Sequence, residues 1–126
     1  MPLLSPALYE QFGIPALQKL DRAAGGLHIH CCGEWGRHVP ALVASGVRLR
    51  AMEFHYPYTK IEELESLADK TVFVPYIALD KQTQFRSTVE YWRWLLRETD
   101  ERHRYWFACC NDTPEQREFV AEICDR

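Results

Sequence analysis

The sequence has no long hydrophobic run and little net charge. Its apolar stretches stay well short of the roughly 20 residues that a membrane-spanning helix needs. Its start, Met-Pro-Leu-Leu-Ser-Pro, lacks the charged and apolar segments of a secretory signal. The formal net charge of −3 argues against a surface that binds nucleic acid or anionic lipid. We therefore expect a cytoplasmic protein with no membrane and no nucleic-acid partner.

Low-complexity tracts, linkers and internal repeats are also lacking, so we expect a single domain over residues 1–126. Hydrophobic residues make up 47% and charged residues 26% of the chain, which is typical of a globular protein. Four of the five cysteines form two adjacent pairs, Cys31 with Cys32 and Cys109 with Cys110. In a reducing compartment, cysteine near histidine is more often metal-binding or catalytic than disulfide-bonded.

Helix and strand signals alternate along the chain. Helices are predicted over 5–24, 39–45, 59–68, 88–98 and from 113 onward, and strands over 27–31, 47–54, 71–77 and 104–108. Strands that alternate with helices predict an α/β fold with a parallel sheet. Four βα units make half of a TIM (β/α)8 barrel, and an open flavodoxin-like sheet is the structural alternative.

Local signals mark the ends of the predicted helices. Ser5, followed by proline, starts the first helix, Pro15 should bend it and Gly25 should end it. Thr59 and Thr113 each open a capping-box pattern and are predicted to begin two later helices.

A half-barrel has two consequences for function. It leaves two exposed edge strands, so we expect a homodimer or pairing with an N-terminal half-barrel. Functional groups of such barrels lie at the C-terminal ends of the strands, which is where candidate residues should be sought.

His30 and Cys32 lie at the end of the first predicted strand. Because alternate side chains of a strand point to the same side, the imidazole and the thiol should share one face. Zinc takes nitrogen and sulfur ligands of this kind in a tetrahedron, and Gly33 lets the chain turn just beyond them. The structural alternative is a core histidine beside a buried cysteine.

Two further metal-competent groups are predicted at the same rim. Cys110 follows the fourth strand, and Glu53 falls near the C-terminal end of the second. A catalytic zinc ion needs three protein ligands and one exchangeable position. We therefore predict a zinc site formed by His30, Cys32, Cys110 and Glu53.

A structural interpretation of the same residues remains open. In that interpretation Cys109 and Cys110 pack in the interior, and Glu53 pairs with Arg48 or Arg50.

The other candidates follow from their positions. Cys31 and Cys109 should point away from the ligand face and pack under the helices, and Cys124 should be buried in the last helix. His55 follows the second predicted strand on the same rim, so it joins Glu53 as a candidate catalytic residue, with structural packing as its alternative.

Four blocks of sequence carry a family resemblance. They are Leu4-Ser5-Pro6-Ala7-Leu8-Tyr9-Glu10-Gln11-Phe12 followed by Pro15, Gly26-Leu27-His28-Ile29-His30-Cys31-Cys32-Gly33, Asp69-Lys70-Thr71 before an apolar strand, and Cys110 ahead of Thr113-Pro114-Glu115. In order and spacing they resemble the C-terminal half of the uroporphyrinogen decarboxylase and corrinoid methyltransferase superfamily. The resemblance covers nearly the whole chain.

The resemblance implies one of two activities. In the methyltransferase branch, residues matching His30, Cys32 and Cys110 bind zinc, which activates a thiol to accept a methyl group from a corrinoid protein. The related cobalamin-independent methionine synthases add a glutamate ligand, and Glu53 is suitably placed. The decarboxylase branch uses no metal and acts on a tetrapyrrole. Because both cysteines are present, we favour the methyltransferase branch.

Length is the main departure from the superfamily. Its members are commonly more than twice as long as this chain, so the resemblance implies a fragment or a half-barrel that pairs with another. A decarboxylase-like tetrapyrrole enzyme and a non-catalytic half-barrel subunit remain the alternative functions.

Overall fold

The computed structural model describes residues 4–125. The strands are β1 (Leu27–His30), β2 (Leu49–Tyr56), β3 (Val72–Ile77) and β4 (Arg104–Tyr105). The α-helices are α1 (Pro6–Leu8), α2 (Ile14–Ala24), α3 (Val39–Ala44), α4 (Thr88–Glu98) and α5 (Pro114–Cys124). A π-helix (Tyr9–Gly13) joins α1 to α2, and 3-10 helices occupy Gly36–His38 and Ile61–Leu67. No helix within this part of the chain is long and apolar enough to cross a bilayer.

The sheet confirms the predicted half-barrel architecture. All strand pairs are parallel, and the strands lie side by side in the order β1-β2-β3-β4. A flavodoxin-like sheet reverses its strand order at a switch point, and this sheet does not. Crossovers between parallel neighbours are right-handed in nearly all proteins, and a sequential strand order then puts every connection on the same side of the sheet, as in one half of a (β/α)8 barrel.

The hydrophobic core lies on the side of the sheet that the helices cover. Ile29 and Met52 are paired neighbours on this face, as are Met52 and Phe73, and all three are buried. From α4, the Trp92 indole N–H donates to the Pro75 carbonyl at 3.1 Å. Period-two alternation therefore sends Ile29, Met52 and Phe73 toward the helices.

The opposite face of the sheet is open and carries polar groups. His28 and His30 are exposed on β1, and Trp106, just beyond β4, is 57% exposed. The His28 and Trp106 rings lie 6.2 Å apart, although three strand spacings would separate β1 from β4 by about 14 Å in a flat sheet. Contact across the outer strands is expected when a sheet curves as it does in a barrel.

The N-terminal helix differs from its prediction in one detail. Ser5 caps it and Gly25 ends it in the left-handed conformation, with φ of 74°, as predicted. The irregular part is the π-helix Tyr9–Gly13 rather than a bend at Pro15. Proline has no N–H to continue the α-helical ladder, and the chain accommodates this with a wider turn just before it.

The predicted capping role of Thr59 is wrong. The segment after it is a 3-10 helix whose N-cap is Lys60, and the Lys60 backbone N–H donates to the Glu63 carboxylate at 2.7 Å. The buried Thr59 hydroxyl instead accepts from the Trp35 backbone N–H at 2.8 Å and donates to the Gly33 carbonyl at 3.0 Å. Thr59 therefore holds the loop that follows β1. The other capping box, at Thr113, is confirmed.

A group of polar atoms is buried without hydrogen-bond partners beneath the loop after β1. They are the Tyr9 hydroxyl, the Trp35 indole nitrogen and both ring nitrogens of His38, and the Tyr91 hydroxyl is a further unpartnered buried atom elsewhere among residues 4–125. The Tyr9 and His38 rings lie 4.6 Å apart. Burial, with a smaller contribution from Cys31, raises the pKa of Tyr9 to about 12, so this phenol is neutral at physiological pH.

We predict that the two faces of the sheet respond differently to truncation. Phe73 is fully buried under the helices and packs edge-on against Phe54, so Phe73→Ala should cost about 3–5 kcal/mol of unfolding free energy. Trp106→Ala, on the open face, should cost no more than about 0.5 kcal/mol. Urea denaturation of both variants measures the difference. Equal losses would contradict an open face and indicate that something covers Trp106.

A second prediction concerns the buried imidazole of His38. Burial, followed by the charge of Arg37, lowers the pKa of His38 below 6.5. The unfolded chain then binds a proton before the folded chain does, so unfolding free energy falls as pH drops from 6.5 toward the lower folded pKa. We expect His38→Leu to reduce this pH dependence in urea titrations between about pH 7.5 and pH 5. An unchanged dependence would show that His38 does not contribute to it.

Candidate metal centre

The candidate site forms on the open face, where β1 and β2 present polar side chains to the same side. His30 on β1 pairs in register with Glu53 on β2. Two residues further along β2, His55 pairs with Tyr76 on β3. Because side chains alternate along a strand, His30, Glu53, His55 and Tyr76 all face the same way.

Three donor atoms converge at the carboxyl end of β1. One ligand atom from each of His30, Cys32 and His55 lies within 4.8 Å of the other two. The His30 Nε2 atom is 2.9 Å from the Cys32 sulfur, and the His30 and His55 rings meet edge-on with centroids 5.6 Å apart. His30 and Cys32 are exposed and His55 is half-buried, so the group opens to solvent on one side.

Glu53 bridges the two histidines of β1. One carboxylate oxygen lies 2.5 Å from Nδ1 of His30 and the other 2.9 Å from Nε2 of His28. A carboxylate can only accept, so the Nδ1 of His30 must carry a hydrogen, and in the neutral ring Nε2 then has a free lone pair facing Cys32. Glu53 therefore orients His30 without belonging to the three-donor group.

The alternative pairing of Glu53 with an arginine is wrong. Arg48 forms its ion pair with Asp21 at 3.1 Å, and Arg50 donates to the Gly25 carbonyl at 3.2 Å. Arg48 lies before β2 begins. Arg50 is three residues from Glu53 along the strand, so its side chain points to the other face.

His55 is held in the form that binds metal. Burial is the main cause that lowers its pKa below 6.5, and the neighbouring His30 lowers it further, while Glu53 partly opposes the effect. A neutral imidazole keeps a lone pair for coordination. The Tyr76 ring stacks on His55 with centroids 5.0 Å apart and an interplanar angle of 20°, which fixes the orientation of the imidazole.

Cys110 lies beside this centre and outside the three-donor group. Its sulfur contacts the Tyr76 hydroxyl at 3.8 Å. Burial, followed by the hydrogen bond to Cys110, raises the pKa of Tyr76 to about 12. Of the four predicted ligands, the structure brings His30 and Cys32 together. Glu53 contacts the other nitrogen of His30, and Cys110 contacts Tyr76, whose ring stacks on His55.

The remaining cysteines divide into one buried and two exposed residues. Cys31 is buried, as predicted, and its sulfur accepts from the Gly33 backbone N–H at 3.3 Å. Cys109 and Cys124 are exposed, so their predicted burial is wrong. The turn after β4 directs the Cys109 sulfur to the Phe107 carbonyl, and Cys124 lies at the exposed end of α5.

Sequence patterns alone do not single out His55 as a donor or His28 as a partner of Glu53. The usable signal is the alternation of Glu53 and His55 along β2, which places them on the face that His28 and His30 share across the β1–β2 register. The sequence does not give this register. The predicted second strand begins and ends two residues before β2 does, and only the paired strands show which residues are opposite each other.

The chain matches no known protein family, no curated protein and no solved structure. The chemistry of the site therefore rests on its own geometry. Two imidazole nitrogens and one cysteine sulfur make a donor set that could hold a metal ion, and such sets suit zinc and other borderline transition metals.

Proposed function

We propose that the chain is a zinc-binding half-barrel that transfers a methyl group to a thiol. The observation that supports this proposal is the convergence of His30, Cys32 and His55 within 4.8 Å. Three protein ligands with one exchangeable position are the arrangement of catalytic zinc, whereas structural zinc has four protein ligands.

Three residues would bind the metal, and a fourth would orient one of them. The proposed ligands are His30, which would bind through Nε2, Cys32 and His55. Because His30 and Cys32 are exposed, the fourth coordination position of the metal would be accessible to a substrate. Glu53 accepts the hydrogen of His30 Nδ1 at 2.5 Å. Such outer carboxylates fix the orientation of a ligating histidine and raise its basicity.

The proposed reaction follows from the donor set and the superfamily resemblance. Bound zinc lowers the pKa of a coordinated thiol, so that the thiolate predominates near neutral pH. The thiol would release its proton to water, and its sulfur would form a bond to the methyl carbon. The bond between that carbon and its donor breaks, and the electron pair stays on the donor. The resemblance indicates a corrinoid, carried by a partner protein, as this donor.

A second half-barrel completes the proposed active site. The open face of the sheet exposes Trp106 and the histidines of β1, and β1 and β4 each have one strand neighbour among the described residues. A second copy of the chain, or an N-terminal half-barrel, would supply the missing strands and the other wall of the substrate pocket.

We predict one zinc ion per chain in protein purified without chelator, measured by elemental analysis. Cys32→Ser and His55→Gln should lose the metal, because each removes a ligand. Glu53→Gln should weaken zinc affinity by about 10–100-fold, as loss of an outer partner of a ligating histidine does. Cys109→Ser serves as the matched control and should keep the zinc.

The same preparations test the reaction. Methylcobalamin as donor and 2-mercaptoethanol as acceptor should give methylated thiol with the wild-type chain, alone or with an added N-terminal half-barrel, and none with Cys32→Ser. Full zinc occupancy in both Cys32→Ser and His55→Gln would reject the proposed site.

The contact between His30 and Cys32 favours a second candidate function without metal. The Cys32 sulfur, His30 and Glu53 are joined by contacts of 2.9 Å and 2.5 Å, which is the order of groups in a nucleophile, base and orienting acid. In this alternative Cys32 is a covalent nucleophile that attacks an acyl carbon.

Alkylation of the metal-free chain separates the two candidates. If Cys32 is an activated nucleophile, iodoacetamide should modify it faster than the exposed helical Cys124, and His30→Gln should lower its rate to that of Cys124. Site-resolved mass spectrometry measures both rates. Equal rates in the wild-type chain would reject the nucleophile.

A further inference from the structure

We propose that the cavity between α3 and the 3-10 helix Ile61–Leu67 binds a small amphipathic anion, which has an anionic head on a short apolar body. The cavity lies at the amino ends of β2 and β3, whereas the metal centre lies at the carboxyl end of β1. The rise along β2 puts about 20 Å between Leu49 and His55. This second site is therefore independent of the proposed metal function.

The cavity has an apolar wall and the size of a small-molecule site. Its volume is about 330 Å³, and ligand pockets commonly measure about 300–1,000 Å³. Protein interiors leave few voids larger than a water molecule, so this space is large enough to take the apolar body of a ligand. Val43 is 39% exposed, so the cavity opens to solvent beside it. The apolar residues of the wall are Leu42, Val43, Val47, Leu49 and Leu67.

The charged residues that line the cavity are all cations: Arg48, Arg50 and Lys70. The charge of Arg48 is balanced by Asp21 at 3.1 Å. Arg50 donates only to the neutral Gly25 carbonyl, at 3.2 Å, and the Lys70 ammonium contacts no carboxylate within residues 4–125. Two positive charges at the cavity are therefore left without a counter-charge.

The parallel register brings these two cations to the same end of the sheet. Ala51 on β2 pairs with Val72 on β3, and Arg50 and Lys70 come one and two residues before this pair. The Arg50 side chain packs against the backbone of Gly26, where an added Cβ would lie 2.6 Å from the Arg50 Cγ and Nε atoms. This close approach limits the directions in which the guanidinium can point.

The lining selects an amphipathic anion over other small molecules. A guanidinium binds carboxylate or phosphate oxygens through its fork of N–H donors, and an ammonium adds a compact positive charge. The two unbalanced charges would repel a cationic head, while the leucines and valines would bury an apolar chain. At about 30 Å³ per water molecule, the cavity has the volume of roughly ten waters, which suits a ligand about the size of octanoate.

Isothermal titration calorimetry with probes of one chain length tests the anionic head. We expect octanoate to bind the purified chain with a Kd on the order of 0.1 mM. 1-Octanol should bind at least about 10-fold more weakly, and octyltrimethylammonium should not bind measurably. Octyl phosphate separates the two possible heads, since the tighter binder of the two anions carries the head that the site prefers. Equal affinities for octanol and octanoate would overturn the proposal.

Variants assign the binding to this cavity. Lys70→Gln and Arg50→Gln should each weaken octanoate binding by about 10-fold, because each removes one charged donor. Val43→Glu puts a negative charge on the exposed wall and should abolish binding. Lys19→Gln, on the exposed side of α2, is the matched control because it changes the net charge equally and should bind like the wild type. Circular dichroism checks that each variant is folded. Wild-type affinity in both Lys70→Gln and Val43→Glu would overturn the site.

Amide NMR spectra distinguish this cavity from the metal centre. Saturation with octanoate should shift the amide resonances of residues 42–50 and 66–71 and leave those of residues 30–32 unchanged. Shifts confined to residues 30–32 and 53–55 would show that the carboxylate binds at the metal centre, which overturns the cavity site and leaves the proposed function intact. Shifts at the cavity in a chain that holds no zinc would support this site although the proposed function fails.

Discussion

The carboxylate of Glu53, shared between His28 and His30, is the constraint on which the site depends. It contacts one nitrogen of each ring at 2.9 Å and 2.5 Å, and so determines which nitrogen of His30 is free to face Cys32. This bridge exists because His30 and Glu53 are in register across β1 and β2. A slip of one residue would turn one side chain of each pair to the other face and disperse the donors.

The one-sided sheet explains how a small α/β chain can carry so many polar groups on its strands. Parallel sheets are normally covered on both faces, and their strands are then apolar throughout. Here the helices cover one face, where Met52, Phe54 and Phe73 are fully buried. The other face is free to hold histidines and a carboxylate. The polar face is therefore a consequence of the half-barrel architecture, in which helices cover only one face of the sheet.

Much of the fold can be predicted from sequence, because its signals are local. The helix Thr88–Glu98 and the cap at Thr113 follow from the periodicity and chemistry of a few neighbouring residues. Strand alternation predicts the proximity of His30 and Cys32, although Cys32 lies in the bend just after β1. The role of Thr59, by contrast, depends on a loop 24 residues earlier in the chain, and the position of Cys110 depends on a turn after β4. The role of Thr59 and the position of Cys110 depend on tertiary contacts that no pattern of neighbouring residues indicates. The same holds for the proximity of His55 to His30.

The three proposed ligands all come from β1, β2 and the residue pair just after β1, so the centre belongs to a single βαβ unit. A metal ion bound there would act as a removable cross-link that closes one short loop of chain. Its stabilising effect should accordingly be regional. Exchange of backbone amide hydrogens would slow in the first two strands on metal loading, while the third and fourth strands would open and close as before.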